Sequence, residues 1–70
     1  MKQIDTRGNQ NYSQLIPAIV AFCETPKGEK IEIIMDNEQA FNDLREYLAE
    51  QKIGFREIYD GEEFSVEFTK

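Results

Sequence analysis

Hydrophobic positions along the 70-residue chain change their spacing several times, and each change marks a predicted element. Residues 2–5 predict a short strand, and the polar residues 6–12 predict its exit loop. Apolar side chains then recur at helical spacing; they are Leu15, Ile16, Ile19, Val20, Phe22 and Cys23. Proline inside a helix removes a backbone hydrogen bond. Ser13 is therefore favoured over Asn11 as N-cap, because a helix that starts after Ser13 has Pro17 in or just past its first turn.

The middle of the chain predicts a central strand followed by a second helix. Residues 30–35, KIEIIM, are rich in β-branched side chains, which is typical of a buried strand. Asp36 is the predicted N-cap of the helix, with Gln39 three residues later as in a capping box. Apolar residues at helical spacing predict its buried face; they are Ala40, Phe41, Leu44, Tyr47 and Leu48. Gly54 is the predicted C′ residue beyond its end.

Two further strands are predicted at residues 55–59 and 63–69, joined by a hairpin at Asp60-Gly61. Apolar and polar residues alternate in the last strand, so only one of its faces is buried. The element order is therefore β-α-β-α-β-β. With right-handed crossovers, both helices lie on one face of a four-stranded mixed sheet. The predicted fold class is α/β (α+β), a two-layer sandwich.

Residues 1–70 have room for one hydrophobic core and therefore predict a single domain. A chain of this length buries only about 60% of its unfolded surface, so its stability is expected to be marginal. Cys23 is interpreted as a small buried side chain rather than a reactive thiol, because free cysteine is among the most buried residue types. The predicted core consists of Ile4, Leu15, Ile19, Phe22, Cys23, Ile31, Ile33, Phe41, Leu44, Leu48, Phe64 and Val66.

Charge and composition narrow the partners and the compartment. Fourteen Asp and Glu against eight Lys and Arg give a net charge of −6, which disfavours nucleic acid and membranes as partners. The eight cations are scattered along the sequence rather than clustered. A single cysteine excludes an internal disulfide and a multi-cysteine metal site. No apolar run could span a bilayer and no signal-peptide pattern is present, so a cytoplasmic location is expected.

Both predicted helices begin just after strands, so their N-termini open at the same end of the sheet. Backbone N–H groups and helix dipoles there favour an anion. Asp5 and Arg7 could form an anion-binding pair or, as we favour, a structural turn. The hairpin carboxylates lack the spacing of a calcium loop, so neither a metal nor a cofactor is expected. The candidate binding residues, none of them catalytic, are Asp5, Arg7, Gly8, Asn9, Asn11, Tyr12, Asp36 and Asn37.

Two segments, Asp5-Thr6-Arg7-Gly8 and Met35-Asp36-Asn37-Glu38, give the chain a family resemblance. With the element order, they resemble the TusA/SirA-like sulfur-carrier family, above all the TusA-like domain of YedF-type proteins. That family continues its Asp-(Thr/Ala)-Arg-Gly turn with two variable residues and then Cys-Pro-x-Pro, and carries sulfur as a persulfide on the cysteine. Counted without a gap, Asn11 stands at the cysteine and Tyr12-Ser13-Gln14 at the Pro-x-Pro. Persulfide chemistry requires a thiolate, which an Asn carboxamide cannot supply.

This resemblance leaves two hypotheses open. The chain is either a non-catalytic module that lacks the sulfur-carrying cysteine and binds a cysteine desulfurase or a DsrE-like protein, or a sulfurtransferase relay that uses Cys23 or a partner's thiol. A link to sulfur or selenium metabolism is implied in both cases. YedF-type proteins join this domain to a DsrE-like one, so an excised structural domain is a third interpretation. A monomer or weak dimer is expected.

Overall fold

The computed structural model describes residues 2–8 and 13–70, and its elements follow the predicted order. The strands form one four-stranded mixed sheet with the order β1-β2-β4-β3. β1 runs parallel to β2, and β4 runs antiparallel to both of its neighbours. The predicted α+β fold is thus confirmed. The elements are β1 (Lys2–Asp5), α1 (Leu15–Glu24), β2 (Lys30–Met35), α2 (Glu38–Glu50), β3 (Phe55–Asp60) and β4 (Glu63–Thr69).

One face of the sheet carries the hydrophobic core. Ile33 of β2 pairs with Val66 of β4, and Ile31 pairs with Phe68, so these four side chains point to the same side. All four are buried in a single cluster with residues of both helices, which therefore cover this face together. The helical members are Ala18, Ala21, Phe22, Ala40, Phe41, Leu44 and Leu48.

Most of the predicted core is buried, with differences concentrated on α1. Ile4, Leu15, Ile19 and Phe64 are only partly buried and pack against the cluster. The prediction for Cys23 is wrong, because this residue is exposed. Helix α1 buries its small residues Ala18 and Ala21 in the core, and this orientation turns Cys23 outward.

The first turn of α1 differs by one residue from the prediction. The helix begins at Leu15 with Gln14 as its flanking residue, not Ser13. The Ser13 hydroxyl nevertheless accepts the N–H of Leu15 at 3.1 Å. Pro17 lies in the first turn as predicted, where its missing N–H removes no intrahelical hydrogen bond.

The N-cap of α2 is Asn37, so the prediction of Asp36 is wrong. The Asn37 side chain accepts the N–H of Ala40 at 2.9 Å. Gln39 forms no capping box; its side chain donates instead to Asp43 at 3.1 Å. The Asp36 side chain instead accepts a hydrogen bond from Gln14, which lies just before α1. Local spacing along the sequence does not reveal this contact.

The C-terminal end of α2 is closed by Lys52 and not by Gly54, which corrects a second prediction. Lys52 has a φ of 60°, in the left-handed region. The N–H of Ile53 donates to the carbonyl of Leu48, and that of Lys52 to the carbonyl of Ala49, both at 3.0 Å. These two bonds define a Schellman motif with a lysine where glycine is usual.

Candidate functional site

The turn that follows β1 is anchored to the neighbouring strand. Thr6 is buried, and both its N–H and its Oγ1 donate to the carbonyl oxygen of Ile34, at 2.9 and 2.8 Å. Gly8 has a φ of 79°, a backbone conformation that glycine adopts without strain. The turn therefore has a defined position at the sheet end where both helices begin.

Asp5 and Arg7 form a closed ion pair within this turn. Arg7 Nε donates to Asp5 Oδ1 at 2.9 Å, Nη2 donates to Oδ2 at 2.7 Å, and the Arg7 backbone N–H donates to Oδ1 at 3.0 Å. The remaining terminal nitrogen, Nη1, donates to Glu63 of β4. The guanidinium is thus bound by two carboxylates of the protein itself. This arrangement favours the structural interpretation of the pair over an anion site.

The ion pair also sets the protonation of its members. The side-chain hydrogen bonds from Arg7, followed by its backbone N–H, lower the pKa of Asp5 from its ordinary value of 3.8 to about 2. The hydrogen bond to Asp5 raises the pKa of Arg7 in turn. Both groups remain charged over the whole neutral range, so neither is suited to proton transfer there.

Gln14 connects the two helix starts and was missed as a site residue by the sequence analysis. Its side chain is almost fully buried. Its Nε2 donates to Asp36 Oδ1, and its Oε1 accepts the backbone N–H groups of Asp36 and Asn37 at 3.1 and 3.2 Å. The available signal was its spacing, because Gln14 lies four residues before Ala18 on the buried side of α1.

An open groove of about 620 Å³ lies beside the turn. Five carboxylates and one guanidinium line it, and that guanidinium is already paired, so the local potential is negative. The backbone N–H groups expected to attract an anion are in part occupied by Gln14 and Asn37. A cationic group fits this groove better than the anion suggested by the helix termini alone. Its lining residues are Asp5, Arg7, Gly8, Asp36, Asp60, Glu62 and Glu63.

The structure thus brings four of the eight predicted binding residues together around the groove, namely Asp5, Arg7, Gly8 and Asp36. Asn37 stands beside them as the cap of α2. The predictions for Asn9, Asn11 and Tyr12 lie outside the described residues. The hairpin carboxylates were considered in the sequence only as a calcium loop and not as binding residues, although the antiparallel pairing of β3 with β4 places them at this same end.

A second groove of about 480 Å³ lies between α2 and β3, around Arg45. Arg45 donates to Glu57 and to Asn42, both at 2.6 Å, and its guanidinium lies 5.3 Å from the ring centre of Phe41. The hydrogen bond from Arg45 lowers the pKa of Glu57. Arg45 therefore acts as a brace that ties the helix to the edge strand.

Cys23, the chain's only cysteine, lies far from the turn. It belongs to the last turn of α1, whereas the Asp5–Gly8 turn lies at the other end of that helix. Cys23 lies eight positions after Leu15, which corresponds to about 12 Å along the helix axis. The exposed thiol and the turn therefore do not form one site.

Two kinds of feature, a metal site and a membrane-spanning helix, are absent from the part of the chain that the structure describes. Within residues 2–8 and 13–70, no group of three or more potential metal-ligating side chains is positioned to hold an ion. Over the same ranges, no helix combines the length and apolar character needed to cross a membrane.

Comparison with known proteins gave one family and one fold. The family model described as sulfurtransferase TusA matches residues 2–70. No curated protein matched the chain. Among solved structures, the chain is similar to the crystal structure of a SirA-like protein from Desulfitobacterium hafniense, with a TM-score of 0.77. The two are 20% identical, and the match covers 99% of this chain and 96% of the other, which shows that the fold is shared.

Proposed function

This chain belongs to the sulfurtransferase TusA family, and we propose that within it the chain is a non-catalytic protein-binding or regulatory module linked to sulfur or selenium metabolism. One observation carries the proposal: the only thiol, Cys23, lies at the opposite end of α1 from the Asp5–Gly8 turn. In the family pattern, the sulfur-carrying cysteine follows that turn after two variable residues. The ungapped count puts Asn11 there, and a carboxamide forms no persulfide.

The turn end of the sheet is the surface we assign to the partner. Hydrogen bonds from Thr6 to Ile34 and from Gln14 to Asp36 hold the described residues that frame it, 6–8 after β1 and 36–37 before α2. A surface that is ordered before binding loses less conformational entropy when a partner docks. We therefore expect the partner, a cysteine desulfurase or a DsrE-like protein by family resemblance, to find residues 6–8 and 36–37 preformed.

The charge of this end predicts the chemistry of the partner's surface. Carboxylates of Asp36, Asp60 and Glu62 line the groove, whereas Arg7 is neutralised by Asp5 and Glu63. Complementary charge speeds encounter and selects among partners. The contacting surface of the partner should therefore present lysine or arginine side chains.

A second candidate function keeps the chain as a sulfur relay that uses Cys23. The observation in its favour is that this thiol is exposed, not buried as its sequence pattern indicated. Such a relay would accept sulfane sulfur on Cys23 at the C-terminal end of α1, and the Asp5–Gly8 turn would take no part in the transfer.

A loading experiment separates the two functions. The chain is incubated with a cysteine desulfurase and cysteine, and its intact mass is then measured with and without a reductant. The non-catalytic module gains no sulfur. A reductant-labile gain of one sulfur atom would overturn the proposal, and loss of that gain in Cys23→Ala would establish the relay. Asn11→Cys adds a thiol at the position that the ungapped count assigns to the family cysteine, and sulfur loading of this variant would support that alignment.

Binding is tested separately by NMR titration with a desulfurase or a DsrE-like protein. The amides of residues 6–13 and 35–38 should shift first. Glu62→Lys should weaken binding, whereas Glu50→Lys, an exposed charge reversal at the other end of α2, should not. Shifts confined to the uncovered sheet face, or equal loss of affinity in both variants, would refute the placement of the site.

A further inference from the structure

The outer face of α1 is apolar and uncovered. The helix sequence LIPAIVAFCE contains no charged residue before Glu24. Ile16 is 51% exposed and Val20 is 49% exposed, and they lie four residues apart on the side opposite the buried Ala18. Cys23 continues the same stripe toward the end of the helix. A helix that is apolar on all sides is normally buried, so this stripe is suited to contact with another surface.

The stripe lies between two ends that differ in charge. The end where the helices begin carries the acidic groove. The other end collects all five lysines, because the parallel strands start there, both helices finish there, and β4 returns there. Glu24, Glu29, Glu50 and Glu67 share this end, and Glu67 is paired with Lys30, so this end is far less acidic than the groove without being strongly basic. The lysines are Lys2, Lys27, Lys30, Lys52 and Lys70.

We propose that a second copy of this chain docks on α1, with the two helices antiparallel about a two-fold axis. Such an axis places the apolar stripe of one copy on that of the other and the acidic end of each copy beside the lysine end of its mate. A two-fold interface requires this kind of self-complementarity. With the axis between residues 19 and 20, Ile16 of one copy faces Cys23 of the second.

The size of the stripe sets the strength of the pair. Ten helical residues span about 15 Å. Stable interfaces bury about 800 Å² on each partner, which is close to a fifth of the 4464 Å² that this chain exposes. One short helix provides less than that, and the net charge of −6 on each copy opposes contact. We therefore expect a weak dimer that forms only at high protein concentration. The α1 stripe is distinct from the acidic end assigned to the partner.

The oligomeric state tests the proposal, by sedimentation equilibrium from micromolar to millimolar concentration. The natural sequence should dimerise with rising concentration, and Val20→Glu should weaken the dimer at least tenfold. Ala49→Glu is the matched control, because Ala49 is an exposed apolar residue on the other helix. This variant should dimerise almost as well as the natural chain. Lys27→Glu should weaken association at low salt, because it removes a cation from the lysine end.

A cross-link tests the antiparallel geometry. Under a mild disulfide oxidant, Ile16→Cys should form covalent dimers quickly through the native Cys23 of the other copy. The natural chain should form them slowly, because the two Cys23 thiols lie at opposite ends of the paired helices. A natural chain that stays monomeric at millimolar concentration, a Val20→Glu variant that dimerises as well as the natural chain, or equally fast cross-linking of both chains would overturn the proposal. Far-ultraviolet circular dichroism confirms that each variant is folded.

Discussion

Gln14 and Asp36 are joined by a hydrogen bond between their side chains, and the Gln14 side-chain oxygen Oε1 also accepts the Asp36 backbone N–H at 3.1 Å. One amide thus contacts both the start of α1 and the loop that leads into α2. Because Gln14 is buried, water cannot easily replace these bonds. The relative position of the two helix starts therefore depends on this side chain.

Gln14→Ala should lower the free energy of unfolding by about 1–3 kcal/mol, because it leaves two backbone N–H groups without their acceptor. Urea titration followed by circular dichroism measures the change. Gln39→Ala is the control, since it removes a single exposed bond to Asp43 within α2 and should lower the free energy of unfolding by about 0.5 kcal/mol at most. Equal losses in the two variants would show that the Gln14 hydrogen bonds contribute no more to stability than one exposed hydrogen bond does.

The Asp5–Arg7 pair predicts a loss of stability in acid. Folding lowers the pKa of Asp5 from 3.8 to about 2, so over this interval the unfolded chain binds more protons than the folded one. The stabilisation is complete above the ordinary pKa and disappears as the pH falls toward 2. Urea titrations across this interval should show a gap between the natural chain and Asp5→Asn that closes on acidification.

High salt provides the control for that measurement. The side chains of Arg7 and Asp5 are 36% and 49% exposed, so salt should screen the pair and narrow the gap at neutral pH. A gap that is independent of pH would show that the carboxylate charge does not contribute, and that Asp5 acts only as a neutral hydrogen-bond acceptor.

Leu44 tests the orientation of α2. It is completely buried, and Leu44→Ala should lower the free energy of unfolding by about 2–5 kcal/mol through lost apolar contact and an unfilled cavity. Glu46→Ala, an exposed change on the same helix, should stay within about 0.5 kcal/mol. A negligible effect of Leu44→Ala in thermal or urea unfolding would mean that the helix packs through another face.

Lys52 holds a left-handed conformation that disfavours side chains other than glycine. Lys52→Gly should therefore raise the free energy of unfolding by about 1 kcal/mol. Gly54 has no positive φ, and a Cβ there would meet no atom within 4 Å, so Gly54→Ala should be tolerated. The reverse result, with Gly54→Ala strongly destabilising, would favour the sequence-based assignment of Gly54 as the cap.

The sequence predicted the structure correctly where interactions between neighbouring residues determine it. The two-residue alternation of β4 and the buried stripe Phe41, Leu44 and Leu48 of α2 are properties of short segments, and both are confirmed. Gly61 supplies the positive φ that the hairpin turn requires, as the Asp60-Gly61 pair indicated. The orientation of α1 was harder to predict, because that helix is apolar on nearly every side and its periodicity does not select one face.

The sequence by itself determined the elements, their order and the family resemblance, because periodicity and turn chemistry act over a few residues. Only the tertiary structure decided what those elements bring together. The Gln14–Asp36 contact joins residues 22 apart, and the Arg7–Glu63 contact joins residues 56 apart. The cap of α2, the pairing of Arg7 and the gathering of the lysines at one end all depend on strand order and helix rotation. These are set by the packing of the whole chain, which no local pattern encodes.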